Sequence, residues 1–379
     1  MAQRSDAELI AIAEAFHGRG SVLSVAPLGN GNVNDTYLVH TQGAPAVLQR
    51  LNTRVFTQPL LVLQNLQVLG EHIQRKLNSS ERHPLLSGRR WHLPQLMCTL
   101  DQQQTWHCCE AGEIWRTITY VPDAVCVDVV AGPAQARELG IGLGLFHQLI
   151  SDLPPAALAD TLEGFHITPL YLDAYHKALV NTQQQPCEAS ERCITFIRER
   201  EQLCDLLERA KQRGELPVRP IHGDPKINNV LLDRESGQAV ALIDLDTVKP
   251  GLVHYDIGDC LRSCCNRLGE ETLALEAVTF DLELAEAILG GYLGVAGSFM
   301  SEAELRYIPD AARLISFELG LRFFSDYLCG STYFKADRPR HNLERALVQF
   351  ALTASIEAQL PALRQLVERP AGQPIASRS

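Results

Sequence analysis

The chain of 379 residues has no long run of lysine or arginine. With 45 acidic against 34 basic residues, its formal net charge is −11. Surfaces built for nucleic acid or anionic membranes concentrate basic side chains, so neither partner is expected. No stretch of about 18 consecutive apolar residues occurs, the length a membrane-crossing helix needs. The amino-terminal stretch MAQRSDAELIAIAEAFHGRG carries Asp6, Glu8 and Glu14, not the basic start and clean apolar stretch of a secretory signal. A cytoplasmic location is the expectation.

Among eleven cysteines there is no Cys-x-x-Cys pair. An odd count in such a chain argues against a disulfide framework. Cys260, Cys264 and His254 lie close in sequence, but their spacing matches no structural zinc pattern. Buried free thiols, packed as small apolar side chains, are expected instead.

The chain does have the apolar content for a large core, with 46% hydrophobic against 21% charged residues. Ser5 can cap a short amphipathic helix over 5–17, with Leu9, Ile12, Ala13 and Phe16 on one face. Strand-like pieces follow over 21–28, 29–40 and 46–52, and helical periodicity over 59–77, opened by Pro59. TWHCCE and IWRTITYVPD read as two more strands. Beyond YVPDA the pattern turns helical. It gives helices over 132–150 and 191–214, a Ser301/Glu304 capping box, and a long helix from NLERA onward. No repeat or low-complexity block interrupts this order. The reading is an α+β chain in two lobes, 1–120 rich in strands and 121–379 mainly helical, hinged at TYVPDA.

The chemistry concentrates in IHGDPKINNVLLD, residues 221–233, and in AVALIDLDTVKPGLVHYDIGD, residues 239–259. Asp224 and Asn229 stand before one apolar strand, and Asp244 follows a second. Asp, Asn and Asp at strand ends around one point are what phosphoryl transfer requires. One carboxylate orients the attacking hydroxyl. A carboxylate and an amide oxygen suit Mg²⁺, a hard cation that prefers oxygen. Taken singly, each residue could be a turn, a loop amide or a strand end. Their order and spacing together favour the catalytic reading.

HGDPKINN followed by LIDLD resembles the catalytic loop and metal-binding strand of the aminoglycoside phosphotransferase and choline kinase family. Those small-molecule kinases share the protein-kinase-like fold. The resemblance implies a single phosphotransferase domain in which ATP binds the amino-terminal lobe. It implies Asp224 as catalytic aspartate, with Lys226 near the γ-phosphate and Asn229 and Asp244 as Mg²⁺ ligands. Asp246 is expected just behind the metal ligands. His222 is expected to shape the loop by hydrogen bonding, and Asp256 to brace it through backbone contacts.

For the nucleotide, Gly29 and Gly31 can let backbone approach phosphates, although a simple hairpin turn explains them equally. Arg50 falls at the protein-kinase lysine position. It shares a strand face with Leu48, one expected on phosphate and the other on adenine. Glu71 is the candidate partner of Arg50, against a solvated helix carboxylate. Tyr120 and Val121 should offer hinge backbone groups to adenine.

A narrower resemblance runs through GNGNVNDTYLV, VLQRLNTRVFTQP, GFHITP, IDLDTVKPG and LRFFSDYLCGSTYFK. These blocks are similar to the N-acetylhexosamine 1-kinase branch. It implies a sugar substrate phosphorylated at its anomeric hydroxyl, with Asn32, Asp224, Arg322 and Tyr333 at the sugar and Phe165 and His166 lining the same cleft. Asn32 stands where histidine is expected in the sugar kinases. Helix packing for Arg322 and a core role for Tyr333 are the alternatives. HYDIGD follows Asp244 closely, leaving little room for the peptide platform of a protein kinase, so a small acceptor is expected. Two competing readings are a kinase of an amino alcohol or aminoglycoside and a non-catalytic nucleotide-binding module. The sequence is compatible with a monomer or a homodimer.

Overall fold

Ser5 opens the first helix with a reciprocal capping box, its hydroxyl taking the Glu8 amide while Glu8 returns to the Ser5 amide. In the computed structural model, which describes residues 4–29, 33–79, 84–101 and 104–368, this is α1 (Asp6–His17). It buries Leu9, Ile12, Ala13 and Phe16 against an antiparallel sheet. The sheet contains β1 (Val22–Pro27), β2 (Asp35–Thr41), β3 (Ala46–Arg50), β4 (His107–Cys108) and β5 (Ile114–Thr119), in the order β1-β2-β3-β5-β4. The helix α2 (Pro59–Asn78) lies between β3 and β4 in sequence.

This small lobe leads into a larger helical one. Short strands β6 (Ala124–Val125), β8 (Val230–Asp233) and β9 (Ala239–Leu242) form a second sheet, and β7 (Arg219–Ile221) pairs with β10 (Lys249–Gly251). The helices are α3 (Pro133–Ile150), α4 (Thr168–Asn181), α5 (Glu188–Arg198), α6 (Leu206–Gln212), α7 (Val253–Cys264), α8 (Leu282–Ala296), α9 (Glu302–Leu328) and α10 (His341–Glu368). The chain therefore has the protein-kinase-like fold expected for it, a strand-rich lobe on a helical one. Glycine spacing in ELGIGLGLF brings α3 against α8: a Cβ at Gly140 would collide with the Ile288 carbonyl.

One element differs from expectation. Residues 191–214 are not one helix but α5 and α6. At Arg200 the backbone leaves helical geometry, and its guanidinium lies over the Phe196 ring and donates to Glu357 of α10 at 2.9 Å. Helical periodicity continues through this point, but a tertiary contact decides the break. By length and composition alone, α10 could cross a membrane. Its apolar residues, among them Leu343, Ala346, Phe350 and Leu352, instead join the main core.

Candidate active site

The loop that carries Asp224 is held from behind by one carboxylate. Asp256, fully buried on α7, accepts the backbone N–H of His222 at 2.7 Å and of Gly223 at 2.8 Å. His147 Nε2 donates to the same carboxylate at 2.8 Å, and Nδ1 of that ring meets Tyr292 Oη. Burial by itself would raise the Asp256 pKa, but the hydrogen bond and charge of His147 outweigh it and hold the carboxyl below its ordinary value. Gly223 is left-handed at φ +88°, where a Cβ would sit 2.6 Å from the Thr247 carbonyl oxygen. Only glycine lets the loop pass that close.

His222 joins the two halves of the site. Its Nδ1 accepts the Asp224 N–H at 3.2 Å and its Nε2 donates to the Ile243 carbonyl at 3.0 Å. Burial pushes its pKa down, so the ring stays neutral. The outcome is that Asp224 and Asp244 are spaced by a rigid imidazole.

Asp224 stands half-buried at the loop's tip. Lys226 Nζ donates to its Oδ2 at 2.9 Å, and the negative charge of that carboxylate raises the Lys226 pKa above its ordinary value. Asn229 Nδ2 donates to the Asp224 carbonyl at 2.7 Å. With its nitrogen engaged there, Asn229 keeps its amide oxygen available to a cation. Asp244 follows β9 in a left-handed conformation, φ 61°, which Asp tolerates better than most side chains. Its carboxylate reaches solvent, yet protein surrounds it at the floor of the cleft. This desolvation, and then the charge of Asp246, push its pKa up to about 6. A divalent cation would relieve that crowding, and the oxygen donors of Asn229 and Asp244 would suit Mg²⁺.

Asp246 lies deeper, 2% exposed, between the lobes. It accepts Asn34 Nδ2 at 2.6 Å, and Arg116 Nη2 of β5 lies 2.5 Å from its Oδ1. Behind it, Asn65 of α2 donates to the carbonyls of Val248 at 2.9 Å and Ala159 at 2.8 Å, docking α2 onto the large lobe.

The nucleotide side of the cleft departs from the sequence reading. Leu48 and Arg50 do share a strand face, but it is the face covered by α1. Leu48 packs with Trp115 and Phe16, and Arg50 pairs with Asp35 and, at 2.9 Å, with Glu113. The cleft face carries Gln49 and Arg116, bonded to each other at 2.7 Å. Glu71 does not meet Arg50; it is exposed and accepts Gln67 Nε2 at 3.0 Å. Gly29 enters its turn at φ +71°. Gly31 and Asn32 lie outside the described residues. At the hinge Val121 is buried with Val240 and Ala241, and Tyr120 is half-buried. Arg90 holds the next residues, donating to the carbonyls of Pro122 at 2.7 Å and Asp123 at 2.9 Å and to Asp233 of β8.

In the large lobe, Arg322 of α9 lies among three rings. Its guanidinium carbon is 5.2 Å from the Phe165 centroid, 5.0 Å from Tyr171 and 5.4 Å from Phe334. Tyr333 is 61% exposed and edge-on to Phe334. Their loop is fixed by Asp326, which accepts the amides of Thr332, Tyr333 and Phe334 at 2.8–3.0 Å. His166, φ 64°, donates from Nδ1 to Glu318 at 2.9 Å and from Nε2 to the Gly223 carbonyl at 2.8 Å. Both partners are acceptors, so the ring carries two protons. Burial opposes that charge, but Glu318 outweighs it and holds the pKa above the usual histidine range.

Sequence reasoning passed over Asn34, Gln49, Arg116, His147, Asn65, Glu318 and Asp326. Arg116 did leave a signal: a charged residue inside the otherwise uncharged strand IWRTIT. His254 donates to the Glu304 carbonyl, and among the described residues no three His, Cys, Asp or Glu side chains converge on a metal position.

Residues 24–291 match the phosphotransferase enzyme family. Among solved structures, a microcompartment-associated aminopropanol kinase is similar over 94% of this chain and 98% of its own, with TM-score 0.63 and 16% identity. A choline kinase from Cryptosporidium parvum is similar over 96% of this chain and 98% of its own, with TM-score 0.59 and 13% identity. A spectinomycin phosphotransferase in complex with ADP and spectinomycin is similar over 95% of this chain and 99% of its own, with TM-score 0.57 and 11% identity. At these identities the likeness carries the fold.

Proposed function

The chain belongs to the phosphotransferase enzyme family, whose members move phosphate to hydroxyl groups, and from that premise we propose that it is a cytoplasmic ATP- and Mg²⁺-dependent sugar kinase. Its acceptor is the anomeric C1 hydroxyl of an N-acetylhexosamine. The observation that favours an uncharged acceptor over a cationic alcohol is the ring cluster around Arg322. Aromatic faces that could hold an ammonium head already hold the protein's own cation. Choline and aminopropanol, named for two of the similar structures, are cations and would meet Arg322 as a like charge. The N-acetylhexosamine itself rests on the sequence blocks shared with that branch.

In this reading Asp224 accepts a hydrogen bond from the C1 hydroxyl and orients it toward the phosphoryl group. An anomeric hydroxyl is more acidic than an ordinary alcohol, so a weak base placed beside it suffices to take its proton. Lys226, held by Asp224, places positive charge beside the transferring group. Arg322 and Tyr333 form the sugar side. Bound Mg²⁺, held by Asn229 and Asp244, would offset charge on the phosphate chain.

The test is ADP release across N-acetylglucosamine, N-acetylgalactosamine, glucose, galactose, choline and aminopropanol, with product phosphorylated at C1. Turnover on choline or aminopropanol and none on sugars would overturn the sugar reading and leave the family chemistry intact. Nucleotide binding without turnover on any acceptor would favour a non-catalytic module.

A further inference from the structure

The amino-terminal lobe of a kinase must bring a cation to the nucleotide's phosphates. On β3 the cleft-facing residue nearest the metal strand is Gln49, which is neutral, while Arg50 points to α1. Directly across the β3–β5 ladder from Gln49 stands Arg116. It is 2% exposed. Its Nε and Nη2 donate to Gln49 Oε1 at 3.0 and 2.7 Å, and its Nη2 faces Asp246. Its Nη1 is buried and has no hydrogen-bond partner among the described residues. A buried guanidinium nitrogen with nothing to donate to is costly. It persists here against Asp246, two residues along the chain from Asp244.

We propose that Arg116 is the phosphate-binding residue of the amino-terminal lobe, with Nη1 receiving an oxygen of the nucleotide's phosphate chain. Gln49 and Asp246 are its positioning residues. They fix the guanidinium plane from two sides and leave the third edge of the fork free. Asp246 also takes Asn34 at the end of the β1–β2 turn, so one carboxylate sets the distance between that turn, Arg116 and the metal strand. This rests on the nucleotide-binding part of the proposed function and not on the identity of the acceptor.

The test is calorimetric titration of adenosine, AMP and ADP into wild type, Arg116→Met, Arg116→Lys and the double variant Arg116→Met/Asp246→Asn, with melting temperatures recorded for each. The double variant leaves no unpaired buried charge, so it separates binding from folding. Loss of a charge-assisted hydrogen bond to phosphate is expected to weaken ADP by roughly 10- to 100-fold in Arg116→Met and in the double variant. Adenosine affinity should stay within about twofold. Arg116→Lys keeps the charge but not the free Nη1 and should fall between. A folded Met, Lys or double variant that binds ADP as wild type does overturns the assignment. Equal loss for adenosine and ADP also overturns it, because Arg116 would then be a structural ion-pair residue. A wild-type protein that binds adenosine but gains nothing from phosphates overturns it too. One that binds no nucleoside or nucleotide overturns the kinase reading itself.

Discussion

His166 Nε2 donates to the carbonyl oxygen of Gly223 at 2.8 Å, the residue just before Asp224. A charged, buried imidazole therefore supports the Asp224 loop from one side, as Asp256 does from α7. Its raised pKa makes this support pH-dependent. The native state holds the proton more tightly than the unfolded chain, so the contribution is complete below about pH 6.5 and is lost as pH rises to the native value. His166→Gln leaves Glu318 buried without its cation and should cost about 3–5 kcal/mol in that acidic range. Denaturant unfolding of both proteins across pH should show the gap narrowing toward alkali. A gap that widens with pH would refute a charged His166.

Asp224→Asn removes the acceptor for the substrate proton and keeps the size of the side chain. Turnover should fall by roughly 10²- to 10⁴-fold. ADP affinity should remain near that of wild type, because in the proposed mechanism the aspartate meets the hydroxyl and not the adenine. Steady-state kinetics with a parallel binding titration separate the two effects.

The Asp244 carboxyl, pushed up to about 6 by desolvation and by Asp246, must lose its proton before it can hold a cation. Protons and Mg²⁺ then compete. Apparent Mg²⁺ affinity should rise as pH increases through about 6 and level off above it. Magnesium titrations of turnover at a series of pH values test this, and an affinity indifferent to pH across that range would contradict it. Chelation with EDTA should abolish turnover and leave the melting temperature nearly unchanged, since Asn229 and Asp244 are fixed by protein contacts.

Arg322→Met empties the charge from the ring cluster. The acceptor KM should rise by about 10-fold or more, with nucleotide affinity unaffected. The vacated rings should also gain weak affinity for a small quaternary ammonium, a cation–π attraction of order 1–2 kcal/mol. Titration with tetramethylammonium compares variant and wild type. Equal binding by both would show that Arg322 does not fill the ring cluster.

Gly223→Ala pushes a methyl group toward the Thr247 carbonyl in a left-handed conformation. Overpacking of this kind costs about 1–3 kcal/mol. The expected result is a lower melting temperature and a loss of turnover greater than the loss of stability explains, because Asp224 is the next residue.

Much of this was legible in the chain itself. Ser5 with Glu8 and Ser301 with Glu304 mark helix starts by local hydrogen bonding, which needs no tertiary partner. The order of polar residues in HGDPKINN and LIDLD, set between apolar strands, carries the phosphotransferase resemblance because short spacing on rigid elements fixes their relative positions. Alternation along AVLQR correctly puts Leu48 and Arg50 on one side. Alternation has no sign, however: it cannot tell which side faces the cleft. Only the docking of α1 on Trp115 and Leu48 decides that, and it hands the cleft to Gln49 and Arg116. The same holds for the break at Arg200, for Asp246 bridging Asn34 and Arg116 over more than a hundred residues of sequence, and for Arg322 among its three rings. Local chemistry is written in neighbours along the chain, whereas the pairing of buried charges depends on which elements pack together.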